Sequence, residues 1–138
     1  MRPDFRTHFL LGVSHFNARK FWDAHEAWEA IWLVAESEVE QYLQGLIQLA
    51  AAYHHMQRGT FRGGIRLFDS AARRLLHFPD PYCGLDRSEA VAAAVKHARW
   101  ASDLLERGDS TERIGEGDYP RLRLTGNDGD VNPPIDAW

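Results

Sequence analysis

The stretch Ser37–Arg58 reads S-E-V-E-Q-Y-L-Q-G-L-I-Q-L-A-A-A-Y-H-H-M-Q-R, and it decides the fold. Over most of its length it is apolar nearly all round, which is typical of a helix surrounded by protein. Small residues such as Gly45 allow neighbouring helices to approach closely. Ser37 and Glu40 have the spacing of a capping box, and Gly59 supplies a stop signal. The sequence therefore predicts a long helix at the centre of a helical bundle.

Apolar residues at helical spacing predict four further helices around this one, over about residues 5–16, 19–35, 61–78 and 86–107. Beyond Gly108 the composition changes to Gly, Asp, Asn, Pro and Arg, without a helical period. We expect an all-α fold: a compact bundle of about five main helices around a central third helix (residues 1–110), with an irregular C-terminal tail (residues 111–138). The apolar residues Leu122, Leu124 and Trp138 would let this tail pack on the bundle or on a neighbouring subunit.

Composition and charge exclude several classes of protein. The single Cys83 has no partner for a disulfide within the chain, which suits a reducing compartment. No apolar run is long enough to cross a bilayer, and the first residues lack the apolar core of a signal peptide. The net charge of −4 argues against a broad nucleic-acid-binding surface. We expect a cytoplasmic protein that binds neither membranes nor nucleic acids.

The second predicted helix contains the run Phe21–Trp32, which reads F-W-D-A-H-E-A-W-E-A-I-W. At helical spacing, His25 and Glu29 share one face with the indoles of Trp22 and Trp32. An amphipathic helix needs only apolar residues at such positions. A polar pair among tryptophans must therefore find partners, carry a function, or both.

The chain contains four separated blocks that together resemble a known family: Phe16-Asn17, Phe21–Trp32, Tyr42–His55 and Arg58-Gly59. In this order, the blocks resemble the DUF309 family of all-helical proteins. The hallmark of the family, His-x-x-x-Glu-x-x-Trp, is matched by His25, Glu29 and Trp32. Because the family has no established activity, the resemblance implies a helical fold and the place of a site, and it implies no reaction.

The main functional hypothesis is a pocket for a small-molecule ligand between the second and third helices. His25 would be the catalytic acid or base and Glu29 its partner, because a carboxylate can orient an imidazole. Flat indole walls suit an apolar or planar ligand. The candidate ligand-binding residues are Trp22, Glu26, Trp32, Gln44, Gln48 and His55.

A divalent metal is a candidate cofactor at the same place, with His25 and Glu29 as ligands, since imidazole and carboxylate suit zinc, iron or manganese. The zinc-protease string His-Glu-x-x-His is absent, because Glu29 stands where the second histidine would be. No Glu-x-x-His occurs in the chain, which excludes the carboxylate-bridged di-iron bundle.

The alternative hypothesis is a non-enzymatic structural or interaction module. In that case His25 and Glu29 form a buried polar network that fixes helix packing, and the partner is another protein or a second copy of the chain. A solvent-open surface beside His25 would favour the ligand site. A sealed network would favour the module.

Overall fold

Five α-helices pack against one another in the computed structural model, which describes residues 2–126 and 131–133. Each helix packs beside the next one along the chain. The prediction of an all-α bundle is confirmed. The helices are α1 (Phe5–Asn17), α2 (Phe21–Trp32), α3 (Ser37–Arg58), α4 (Phe61–Leu76) and α5 (Ser88–Glu106).

Helix α3 occupies the centre, and Tyr53 shows why. This side chain is fully buried. Aromatic rings from every other helix surround it, with centroids 4.8–5.9 Å away. Those rings belong to Phe16 on α1, Phe21 on α2, Phe68 on α4 and His97 on α5. The apolar surface that α3 carries all round is thus covered by the rest of the molecule.

Helices α1 and α2 are joined through the indole of Trp28. The side chain is fully buried, and its Nε1 donates a hydrogen bond to the carbonyl oxygen of Phe9 at 3.1 Å. Gly12 makes room for it, because a Cβ at that position would lie 2.0 Å from the indole Nε1. Trp28 is therefore a core residue, in contrast to the other tryptophans of α2.

The helix ends differ in detail from the sequence prediction. Helix α2 is shorter than residues 19–35 at both ends: Arg19 adopts a left-handed φ of 63° in the turn before it, and Leu33 and Val34 form a turn after it. Helix α3 begins where expected, but Ser37 is not its cap: Glu36 occupies the N-cap position and makes no capping hydrogen bond through its side chain. Gly59 ends α3 with a left-handed φ of 76°, as its sequence position predicts.

The segment after α5 lies on the bundle. Ile114 and Leu122 are buried. The side-chain amide of Asn17 on α1 forms hydrogen bonds with both the backbone N–H and the carbonyl oxygen of Leu122. A short 3-10 helix covers Glu116–Asp118, and strand β2 (Arg123–Leu124) pairs antiparallel with β1 (Leu85–Asp86). The sequence analysis did not predict these strands.

Trp138, one of the predicted apolar anchors, lies outside the described residues. Among the residues that are described, no helix combines the length and apolar character needed to cross a membrane.

Candidate functional site

Helix α2 divides its aromatic residues between the core and the surface. Phe21 and Trp28 point into the core, whereas the stripe beside them leaves Trp22 49% exposed and Trp32 half-buried. His25 lies on this same stripe and is half-buried. The period of the helix therefore places the predicted site at the surface and not within the core.

His25 and Glu29 form a loose pair on this stripe. The imidazole Nε2 lies 3.8 Å from the carboxylate Oε2, which is beyond hydrogen-bonding distance but close enough for attraction when the histidine is protonated. Their side chains are 17% and 46% exposed. Both residues belong to α2, so this contact joins no second helix.

The imidazole of His25 is stacked beneath the indole of Trp22. The ring centroids are 4.5 Å apart and the planes differ by only 7°. His54 of α3 also contacts this indole, with a centroid distance of 5.2 Å and planes tilted by 42°. Partial burial, followed by the charge of Arg58, lowers the pKa of His54. Trp22 is therefore the centre of a cluster formed with the two histidines.

His54 belongs to this cluster, whereas His55 was the histidine that the sequence analysis had placed there. The structure turns His55 to the α3–α4 connection, where its Nδ1 lies 2.6 Å from the hydroxyl of Thr60. Neighbouring residues on a helix point about 100° apart, so only one of the two can face α2. The spacing within α3 was compatible with either, because it does not reveal the rotation of α3 relative to α2.

The remaining predicted ligand residues are less closely joined. Glu26 is exposed, and Gln44 and Gln48 are half-buried on α3. Within the described part of the chain, neither glutamine forms a hydrogen bond with His25 or Glu29.

On helices α2 and α3, three polar side-chain atoms are buried without a hydrogen-bond partner among the described residues. They are His25 Nδ1, Trp32 Nε1 and Gln48 Oε1. Buried polar atoms of this kind are uncommon, and each calls for a water, a ligand or a functional reason.

A metal centre receives no support from the geometry. Across residues 2–126 and 131–133, no group of three or more His, Cys, Asp or Glu side chains is arranged to hold a metal ion. His25 and Glu29 thus offer two ligands without a third protein ligand from that set, whereas protein zinc sites use three or four.

Two other groups of potential chemical interest, an arginine on α4 and the thiol of Cys83, show no sign of forming a site with the other described residues. Arg73 of α4 pairs with Asp69 at 2.5 Å, and both are exposed, as is usual for a solvated helix face. Burial raises the pKa of the Cys83 thiol to about 12, so this cysteine is a poor nucleophile.

A comparison with protein-family models locates the site within a known domain. The model DUF309, described as a domain of unknown function, matches residues 9–67. This segment is similar to the DUF309 domain. The DUF309 segment begins within α1, ends within α4, and contains His25, Glu29 and Trp32. A search of curated proteins found no match to the chain. The DUF309 assignment confirms the family resemblance and brings no activity with it.

Proposed function

We propose that the α2–α3 surface of this protein binds a small ligand, with His25 and Glu29 as the groups that contact it. The observation that carries the proposal is the 3.8 Å gap between Nε2 and Oε2, on a helix face where the two side chains are 17% and 46% exposed. If the role of this pair were only structural, we would expect the imidazole of His25 and the carboxylate of Glu29 to lie within hydrogen-bonding distance. A ligand group that bridges them would complete both interactions.

The alternative, a packing network, receives less support. A network that fixes helices should link side chains of different helices by hydrogen bonds. His25 and Glu29 contact each other only loosely and lie on one helix, while His25 Nδ1 has no partner among the described residues. One feature does favour an interaction module: Leu33, just after α2, is 68% exposed.

The chemistry of the pair defines the ligand class. With Glu29 beside Nε2, a neutral His25 that carries its proton on Nε2 directs an N–H toward the carboxylate. A hydroxyl or amide group between them would accept from Nε2 and donate to Glu29. A planar ring on the same ligand would pack against the exposed indole of Trp22. The same pair would allow His25 to exchange a proton with a bound substrate.

The proposal is tested by screening small planar alcohols and amides for an increase in Tm. A ligand at a hundred times its Kd stabilises a folded protein by about 2.7 kcal/mol. Glu29→Gln should weaken binding about 10-fold or more, because a hydrogen bond to a charged group is lost. His25→Ala should abolish the shift.

Asp23→Asn is the matched control, since Asp23 is an exposed carboxylate on α2 that is not among the proposed ligand-binding residues. Its variant should bind like the unmodified protein. Ligands that stabilise the Glu29 and His25 variants as strongly as the original chain would remove the proposal and leave the interaction module.

A further inference from the structure

A second polar cluster lies beneath the C-terminal segment and plays no part in the site proposed above. The hydroxyl of Tyr53 is 2.8 Å from Nδ1 of His97, and both side chains are buried. Buried histidines are normally hydrogen-bonded on both nitrogens or reach water through one of them. Here the described residues supply a partner for Nδ1 alone.

The position of the proton on His97 follows from the needs of Tyr53. The Tyr53 hydroxyl has no other hydrogen-bond partner among the described residues, so its hydrogen must go to Nδ1 if it is not to be buried unpaired. Nδ1 is then an acceptor, and the neutral ring carries its own proton on Nε2. Burial, followed by the nearby charge of Lys96, lowers the pKa of His97, which keeps the ring neutral near pH 7.

His97 also lines a cavity of about 110 Å³. Because Nδ1 is occupied by Tyr53, Nε2 is the nitrogen that remains available to this cavity. The cavity lies between α5 and the segment that follows it, and its other lining residues are Lys96, Trp100, Arg113, Ile114, Gly115 and Asp118. Two of these side chains are cationic and one is anionic.

We propose that this cavity binds a small oxyanion, a carboxylate or a phosphate, whose oxygen accepts a hydrogen bond from Nε2 of His97. The ammonium of Lys96 and the guanidinium of Arg113 supply the attraction for negative charge. The carboxylate of Asp118 opposes it, but Asp118 is exposed, whereas the His97 donor is buried. Arg113 is held in place by hydrogen bonds to the carbonyl oxygens of Gln57 and Ser110.

The size of the cavity fits this class of ligand. The cavity of about 110 Å³ has room for a group of a few non-hydrogen atoms. Acetate and inorganic phosphate are of this size. A nucleotide or a peptide is far larger.

The test is an NMR titration of the full chain with sodium acetate and, separately, with inorganic phosphate at constant ionic strength. The nitrogen shifts of His97 should first show the proton on Nε2. One of the two anions should then move the Nε2 resonance along a saturable curve, and the choice between them distinguishes a carboxylate site from a phosphate site.

Three exposed substitutions provide the comparison. Lys96→Gln should raise the Kd about 3-fold, and Asp118→Asn should lower it by a similar factor, as expected for partly screened charges. Arg99→Gln removes an exposed cation from the same helix outside the cavity lining and should leave the Kd unchanged. Because all three side chains are at the surface, the fold should be unaffected.

A proton on Nδ1, the absence of a saturable shift with either anion, or equal effects of the Lys96 and Arg99 variants would overturn the proposal. In those cases the cavity holds water. None of these outcomes depends on His25 or Glu29, so this proposal and the α2–α3 ligand site succeed or fail separately.

Discussion

Gly12 and Trp28 show how closely a single residue can be tied to the packing of two helices. In the interior of a helix, glycine normally costs about 1 kcal/mol relative to alanine. Gly12 lies within α1 and is buried, and its presence there has a reason other than helix propensity. The reason is the indole of Trp28, which occupies the space of the missing Cβ.

We therefore predict that Gly12→Ala lowers the free energy of unfolding by about 3 kcal/mol, because overpacking and the disturbed Trp28–Phe9 hydrogen bond outweigh the gain in helix propensity. Urea denaturation measures the change. The control is Gly63→Ala in α4, where a Cβ would lie 3.4 Å from the nearest atom, in ordinary contact with His55. That variant should be neutral or more stable by up to about 1 kcal/mol. Equal effects at the two glycines would contradict the argument.

At the scale of elements, the sequence correctly predicted those features that depend on a single helix. The apolar pattern of α3 and the stop at Gly59 were sufficient to place the central helix, and the stripe of α2 was sufficient to place Trp22, His25 and Glu29 together. These features need only the helical period. The prediction that Ser37 caps α3 was wrong, because a sequence that matches the capping-box pattern does not determine the backbone conformation. Ser37 adopts a φ of 51°.

Features that depend on the relative placement of two elements could not be predicted from the sequence. The choice of His54 over His55 requires the rotation of α3 against α2. Strands β1 and β2 have two residues each and lie far apart in the chain, so neither has a detectable pattern. The contact between Tyr53 and His97 likewise requires the relative placement of α3 and α5.

The docking of the C-terminal segment on α1 depends on Asn17. Its amide nitrogen donates to the carbonyl of Leu122 at 2.9 Å, and its amide oxygen accepts from the Leu122 N–H at 2.8 Å. Asn17→Ala removes both bonds and should lower the free energy of unfolding by about 1–3 kcal/mol. Hydrogen exchange at the Leu122 amide should accelerate more than exchange in the core of α3.

Asn17→Asp keeps the acceptor and loses the donor, so it should fall between the alanine variant and the unmodified chain. Ser14→Ala, an exposed change on the same helix, serves as the control. If Leu122 remains as protected in the Asn17→Ala variant as before, the segment is held by its apolar contacts instead.

For the whole molecule, two histidines make stability depend on pH. Burial is the largest cause of the lowered pKa of both His54 and His97 in the folded chain. An unfolded histidine has a pKa of about 6.5, so below this pH the unfolded chain binds more protons than the folded one. The contribution of these histidines to stability is therefore fully present only above the unfolded-state pKa, and it is lost as the pH falls from about 6.5 toward the lower pKa values of the folded chain.

We predict that the free energy of unfolding decreases between pH 7 and pH 5, by at most about 1.4 kcal/mol per pH unit for each histidine. His54→Gln should reduce this slope while changing stability at pH 7 little. Urea denaturation at several pH values measures it. The carboxyl groups with lowered pKa, such as Glu89, lose their contribution only at more acidic pH. A His54→Gln variant with an unchanged slope would show that another group is responsible.

The surroundings of Tyr53 also bear on the order in which the chain folds. Most packing joins each helix to the next along the chain, and such short-range contacts form fast. Tyr53, however, also contacts Tyr119, with ring centroids 5.8 Å apart. Its environment is complete only when the segment beyond α5 has returned to α3. We expect refolding followed by stopped-flow fluorescence to show the helices assembling first and this last closure setting the time at which the native state is reached.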